Sequence, residues 1–155
     1  MLYTRAATHT LHTGNIMRRL LLLLPALLLA GCFKQSTSYY IGNSDHALTV
    51  RAEQVYLWDD ALDVTLVASN MPACQRQFPL AKLPVDELTL ELFTPDENVY
   101  TVRAGTQLWQ FDTGNCTQLA APAPNALGQP VGVFQLNDEE KLVFEAAAAP
   151  AATPQ

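Results

Sequence analysis

Apolar and polar residues alternate with a period of two over much of the chain after residue 46. The alternation is clearest in ELTLELF, where Leu88, Leu90 and Leu92 would face inward and the intervening Glu and Thr residues outward. This pattern is typical of a strand with one buried face and one solvated face. After Cys32, no stretch of the sequence shows the 3.6-residue period of an amphipathic helix over three turns. The pattern therefore predicts strands and not helices.

The alternating runs are joined by short segments with turn-forming residues. TPDEN and the dipeptide Ala104-Gly105 separate three of the runs, and Pro, Asp, Asn and Gly suit tight turns. A shift in the alternation near Gln54 predicts a bulge or a bend, and the proline-containing segment 70–86 is predicted to be irregular. About seven short strands on such connections indicate an all-β domain, either a small antiparallel β-sandwich or a β-barrel.

The start of the chain follows a different pattern. Arg18 and Arg19 precede an almost unbroken apolar run over 20–30, which is shorter than the roughly 20 apolar residues of a transmembrane helix. A basic segment followed by a short apolar one is typical of a signal peptide. The run ends in Leu29-Ala30-Gly31-Cys32, which resembles the lipobox of bacterial lipoproteins at every position. The resemblance implies that Cys32 carries diacylglycerol and palmitate and is the first residue of the mature protein.

These patterns divide the chain into four parts. Residues 1–31 form the predicted signal peptide, in which 1–16 precede a complete signal and represent either an upstream start-site artefact or an extended basic region. Residues 32–45 are predicted to be a lipidated tether, 46–145 the β-domain, and 146–155 a disordered Ala/Pro tail.

The residue after the predicted lipidated cysteine indicates which of the two bacterial membranes would carry the protein. In enterobacterial lipoproteins an Asp there implies retention at the inner membrane, and this chain has Phe33. The resemblance therefore implies a lipid-anchored protein on the periplasmic face of the outer membrane, with the inner membrane as the less favoured alternative.

The predicted mature chain is strongly acidic. All 15 Asp and Glu residues follow Cys32, but only six of the nine Lys and Arg residues do, which leaves a net charge of about −9. Such a protein is repelled by nucleic acid and by anionic headgroups. We therefore expect no nucleic-acid partner, and we expect membrane attachment through the lipid alone.

Two further cysteines, Cys74 and Cys116, would lie in an oxidising compartment, where disulfides form and persist. A redox pair or a metal site is the alternative, but the chain has no Cys-x-x-Cys and lacks the additional ligands that zinc needs. The sequence therefore predicts a structural disulfide between them.

Few residues suggest catalysis. His46 is the single histidine after Cys32, and its position before the first predicted strand indicates an exposed, inert side chain. Acidic clusters occur at 59–63, 96–97 and 138–140, but they coincide with predicted turns and none matches a calcium-binding loop. We expect no catalytic residue, no metal site and no cofactor.

Two groups of residues are candidates for binding. The first is the aromatic residues spaced two apart, which are predicted to lie on one side of a strand: Tyr56 with Trp58, and Trp109 with Phe111. Such pairs form either core or an exposed binding stripe. The second is CQRQFPLAKLP, a proline-containing segment at the predicted disulfide, which is either a recognition loop or a plain connection between strands. The candidate residues are Tyr56, Trp58, Arg76, Phe78, Lys82 and Trp109.

Three functions follow as hypotheses. The first is a non-enzymatic, lipid-anchored envelope protein that binds another envelope protein or supports an assembly. The second is a small periplasmic inhibitor of a cationic enzyme, similar to lysozyme inhibitors, which are also small, acidic, disulfide-bonded β-barrels. Their Ser-Gly-x-x-Tyr type of loop is not found here, so this similarity rests on overall character. The third, an enzyme, lacks the residues for a mechanism, and we expect none.

Overall fold

The computed structural model describes residues 33–56 and 58–148. The predicted signal peptide, the predicted lipidation site Cys32 and residues 149–155 of the predicted tail lie outside this range. Ten strands form the described domain: β1 Lys34–Tyr40, β2 His46–Glu53, β3 Ala61–Asn70, β4 Cys74–Pro84, β5 Thr89–Asp96, β6 Val99–Ala104, β7 Gln107–Asp112, β8 Thr117–Leu119, β9 Gln129–Leu136 and β10 Leu142–Ala146. Among these residues, helix is limited to one 3-10 turn, Val85–Glu87.

The strands form two antiparallel sheets. One has four strands in the order β1-β2-β3-β4, and the other has six in the order β10-β9-β5-β6-β7-β8. The all-β prediction is confirmed, and the architecture is the sandwich, built from ten strands and not from about seven. No helix within the described residues is long and apolar enough to cross a membrane.

The inward faces of the two sheets share one hydrophobic core. Leu88, Leu90 and Leu92 are buried as their alternation predicted, and Phe111 and Phe134 are the largest fully buried side chains. Alternation predicts burial well here because each strand turns every second side chain toward the facing sheet.

The disulfide joins the two sheets along one side of the sandwich. Cys74 begins β4 in the four-stranded sheet, and Cys116 lies in the turn between β7 and β8 in the other sheet, with 6.0 Å between their Cα atoms. The predicted pairing is confirmed. Beside it, the ring of Phe78 packs against that of Phe111, with 5.0 Å between the centroids.

The other side of the sandwich is closed by β1 and β10. The Gln35 amide nitrogen donates to the carbonyl oxygen of Glu140 at 2.6 Å, and its amide oxygen accepts from the Leu142 N–H at 2.5 Å. The ring of Tyr39 packs against Tyr100 and Phe144, with centroid distances of 5.9 and 5.0 Å. One polar side chain and one aromatic cluster therefore hold this edge of the two sheets together.

The prediction of a tether over 32–45 is wrong for Lys34–Tyr40, which form β1 and pair with β2 along their whole length. β1 is an edge strand with many half-exposed residues, so its sequence is polar and lacks a clear alternation. His46 accordingly begins β2 and is half-buried, with its Nε2 atom buried, so the prediction of an exposed side chain is also wrong.

The segment 70–86 is also more regular than predicted, because it contains the eleven-residue strand β4. Its prolines are tolerated since β4 is an edge strand, whose outward N–H groups take no part in the ladder. Val64 pairs with Ala81 but Thr65 pairs with Pro79, so Leu80 is an extra residue in a bulge.

Candidate functional site

The loop between β2 and β3, residues 54–60, presents the most exposed large hydrophobic side chain of the described domain. Trp58 is 82% exposed, and it stacks on Tyr56 with 5.4 Å between ring centroids and 18° between ring planes. Val55 beside them is 47% exposed. We call residues 54–60 the aromatic loop. Exposed Trp and Tyr are typical of contact surfaces because they bury a large area with few rotatable bonds.

Hydrogen bonds hold the aromatic loop in place. The Gln54 N–H donates to the Phe33 carbonyl at 2.8 Å, and the Gln54 side chain donates to the Asp59 carbonyl at 2.5 Å. The Asp59 N–H donates to the Tyr56 carbonyl at 3.1 Å, which closes a turn around Trp58. A loop fixed in this way loses little conformational entropy when it binds a partner.

Tyr56 and Trp58 were predicted to lie on one side of a strand, and this is wrong. β2 ends at Glu53, and the two residues lie in the loop that follows. The sequence contained a signal for this, because the four successive apolar residues VYLW break the alternation of apolar and polar residues that a half-exposed strand shows. Val55, which the candidate residues did not include, belongs to the same exposed surface.

Three candidate residues lie on β4 and differ in their surroundings. Phe78 turns toward the core, where it meets Phe111. Lys82 is exposed and pairs with Asp59 at 3.7 Å and Asp63 at 3.5 Å. Arg76 is exposed and forms no salt bridge with a described carboxylate.

The last candidate, Trp109, lies in the other sheet. It is on β7 opposite Val102, is half-buried and packs against the core. The structure therefore brings Tyr56, Trp58 and Lys82 together at one end of the sandwich, since Lys82 reaches the residue that follows Trp58. It places Arg76 further along β4 and Trp109 on a separate strand.

An open cleft of about 560 Å³ lies at the same end as the aromatic loop. Three acidic residues, Asp60, Asp86 and Glu140, contribute to its lining. Across the described ranges, no three His, Cys, Asp or Glu side chains are grouped so as to hold a metal ion.

Perturbed pKa values occur at residues that stabilise the fold. Hydrogen bonds from the Arg103 guanidinium, including one of 2.8 Å, lower the pKa of Glu91. The side chain of Asn115 donates to Asp112 at 2.7 Å and lowers the pKa of that carboxyl. Burial raises the pKa of Tyr100 to about 12. None of these groups lies in the aromatic loop.

No protein-family model matches this chain, and neither does any curated protein or solved structure. Function must therefore be argued from the residues of the chain itself.

Proposed function

We propose that this chain is a non-enzymatic, lipid-anchored envelope protein whose β-sandwich is a protein-binding or assembly-accessory module on the periplasmic face of the outer membrane. The observation that carries the proposal is the lipobox Leu29–Cys32 behind Arg18-Arg19 and an apolar run. The start of β1 at Lys34, two residues after the cysteine, supports it, because a folded domain then follows the processing site directly.

The anchor is supplied by acyl chains on Cys32. Each buried methylene contributes about 0.8 kcal/mol, one chain gives only reversible binding, and two or more give stable attachment. The acidic domain adds no electrostatic attraction to anionic lipids, so stable anchoring requires the acyl chains on Cys32.

The N-terminal half of β4 is the surface we propose for the protein partner. β4 is the last strand of its sheet, so one edge of its backbone has no neighbour within that sheet. Pro79, the bulge at Leu80 and Lys82 protect the C-terminal half against pairing with another chain, as edge strands often require. The half at Gln75–Gln77 has exposed side chains and no such protection.

Two features favour this half of β4 for recognition by strand addition. The disulfide at Cys74 holds its first residue to the opposite sheet. Arg76 offers a charged group free of ion pairs with the described carboxylates, which suits an acidic residue of a partner strand. An extended partner segment would gain backbone hydrogen bonds from the edge and specificity from Arg76.

Crosslinking in cells tests this surface. A photo-crosslinkable residue at position 76 should yield one specific adduct with an envelope protein. Position 51 is the matched control, because Arg51 is also exposed and without a described ion-pair partner but lies on the interior strand β2. Equal adducts at 76 and 51, or none at 76, would refute the proposed partner surface.

The variant Cys32→Ser tests the anchor. It should leave an unprocessed precursor or release the protein from membranes, and palmitate labelling should disappear. A membrane-bound, palmitate-labelled Cys32→Ser product would contradict the lipid anchor.

One observation favours the alternative of an inhibitor of a cationic enzyme, namely the cleft lined by Asp60, Asp86 and Glu140. Acidic groups in a cleft attract a basic side chain of such an enzyme. Inhibition of a lysozyme that weakens in Asp86→Asn, but not in the control Asp96→Asn at the end of β5, would favour this function. The cleft lies at the end of the domain that adjoins Cys32, which argues against it in the anchored protein.

A further inference from the structure

We infer that the aromatic loop lies in the headgroup layer of the membrane that holds Cys32. The protein would then contact the bilayer twice, through the acyl chains and through the side chains of Val55, Tyr56 and Trp58. This inference rests on the proposed lipid anchor and adds an orientation and a second contact surface to it.

The first step is the absence of a spacer between the anchor and the folded part. The Cα atom of Cys32 is about 3.8 Å from that of Phe33, as for any trans peptide. The carbonyl of Phe33 in turn accepts the N–H of Gln54, the first residue of the aromatic loop. A tether over 32–45 would let the domain turn freely, but β1 leaves at most one unpaired residue for that purpose.

The second step is the distance from the anchor to Trp58. Trp58 is the fourth residue after Gln54, so their Cα atoms are at most about 14 Å apart even in an extended chain. The turn closed by Asp59 and Tyr56 shortens this distance. The headgroup layer on each side of a bilayer is roughly 5–8 Å thick. Trp58 thus belongs to the anchored end of the domain, and an acylated Cys32 at the boundary of this layer allows its indole to enter the layer when the loop faces the bilayer.

The third step is the preference of Trp and Tyr side chains for the membrane interface. Trp and Tyr are enriched where hydrocarbon meets headgroups, because the ring prefers the apolar side and its polar atom prefers water. The exposed rings of Tyr56 and Trp58 stack on each other, and the exposed side chain of Val55 lies in the same loop. About half of Val55 and Tyr56 and most of Trp58 are left exposed by the described domain, and a lipid interface covers these surfaces without a second protein.

The charged residues near the aromatic loop indicate which kind of lipid headgroup it contacts. Lys82 pairs with Asp59 and Asp63 and compensates the carboxylate next to Trp58. Asp60 and Asp86 at the same end form no salt bridge with a described Lys or Arg side chain. Such residues are repelled by anionic headgroups, so the surface that suits the aromatic loop is zwitterionic.

This orientation is compatible with the proposed partner surface. Arg76 precedes Lys82 by six residues on β4, which corresponds to about 20 Å along a strand. Because Lys82 is at the aromatic-loop end, Arg76 would lie that much further from the bilayer. The free half of β4 would then face the periplasm, where a protein partner can reach it.

Quenching of tryptophan fluorescence by brominated lipid tests the inference on the mature, lipidated protein in zwitterionic phosphatidylcholine vesicles. The variant Trp109→Phe leaves Trp58 as the sole tryptophan. The control carries Trp58→Phe, Trp109→Phe and Tyr40→Trp, which moves the tryptophan to an exposed site at the far end of β1. We expect brominated chains to lower Trp58 emission, because an indole at the membrane interface lies beside them, and to leave the control unchanged.

The outcomes separate this inference from the proposed function. Mass spectrometry that shows acyl chains on Cys32, together with unquenched Trp58 emission, overturns the inference and leaves the anchor intact. A Cys32 without acyl chains overturns the anchor and the inference with it. A photo-crosslinker at position 58 provides a second measurement in cells: adducts with lipid support the inference, and a specific protein adduct overturns it.

Discussion

Loss of the Cys74–Cys116 disulfide should destabilise the domain by about 4 kcal/mol. The bond closes a loop between residues 42 apart in the sequence, and the chain-entropy relation gives about that value for a loop of this length at 25 °C. A domain of this size has a free energy of unfolding of about 5–15 kcal/mol. The reduced protein should therefore keep its fold with a small margin.

The structure also predicts which strands lose stability first when the disulfide is reduced. Cys74 begins the bulged edge strand β4, and Cys116 precedes β8, an edge strand of only three residues. Both strands pair with one neighbour each, so the disulfide is a main connection between them. Amide hydrogens of β4 and β8 should exchange faster in the reduced protein than those of β5 and β6 in the interior of the six-stranded sheet.

Urea unfolding of a Cys32→Ser chain with and without reductant measures this effect, because Cys74 and Cys116 are then the only cysteines. The double variant Cys74→Ala/Cys116→Ala is the control, and reductant should not change its midpoint. Reduction that lowers the free energy of unfolding by less than about 1 kcal/mol would refute the reasoning from loop closure.

Two further changes test the packing and the ionisation of the core. Gly132→Ala should lower the free energy of unfolding in urea by about 3 kcal/mol, because an added Cβ would overlap the Phe144 ring. Gly105→Ala should lower it by only about 1 kcal/mol, because φ is +55° there but nothing lies within 4 Å of the added Cβ. Equal losses in the two variants would contradict this account. Burial raises the pKa of Tyr100 from 10.0 to about 12, so the unfolded chain ionises first and the free energy of unfolding should fall as pH rises from 10 to 12. The slope is at most about 1.4 kcal/mol per pH unit, and Tyr100→Phe should remove this part of the alkaline loss; an unchanged pH profile in that variant would show that Tyr100 is not its source.

Strands of the sheet interior were predictable because their alternation reflects burial on one face. β5 is the clearest case, with Leu90 and Leu92 fully buried between two paired neighbours. The edge strands β1 and β4 of the four-stranded sheet were not, since an edge strand has fewer buried positions and tolerates polar residues and proline. Their pairing with β2 and β3 becomes evident only once those strands are in place.

The candidate site was predicted in part. The residue types at 56 and 58 identified the aromatic pair, but hydrophobicity does not distinguish a buried ring from an exposed one. Phe78 and Phe111 have the same apolar character as Trp58 and lie between the sheets. The difference arises because β2 ends at Glu53 and the apolar run falls beyond the sheet.

The sequence by itself determined the all-β class, the positions of the interior strands and the cysteines available for a disulfide, because these depend on local period and residue type. Only the tertiary structure decided the order of the two sheets, the closure of β1 against β10 through Gln35, and the hydrogen bond that places Phe33 beside the aromatic loop. These features join residues distant in sequence, and side-chain packing across the whole sandwich selects them. For that reason the proximity of Trp58 to the proposed anchor follows from the fold and not from any motif.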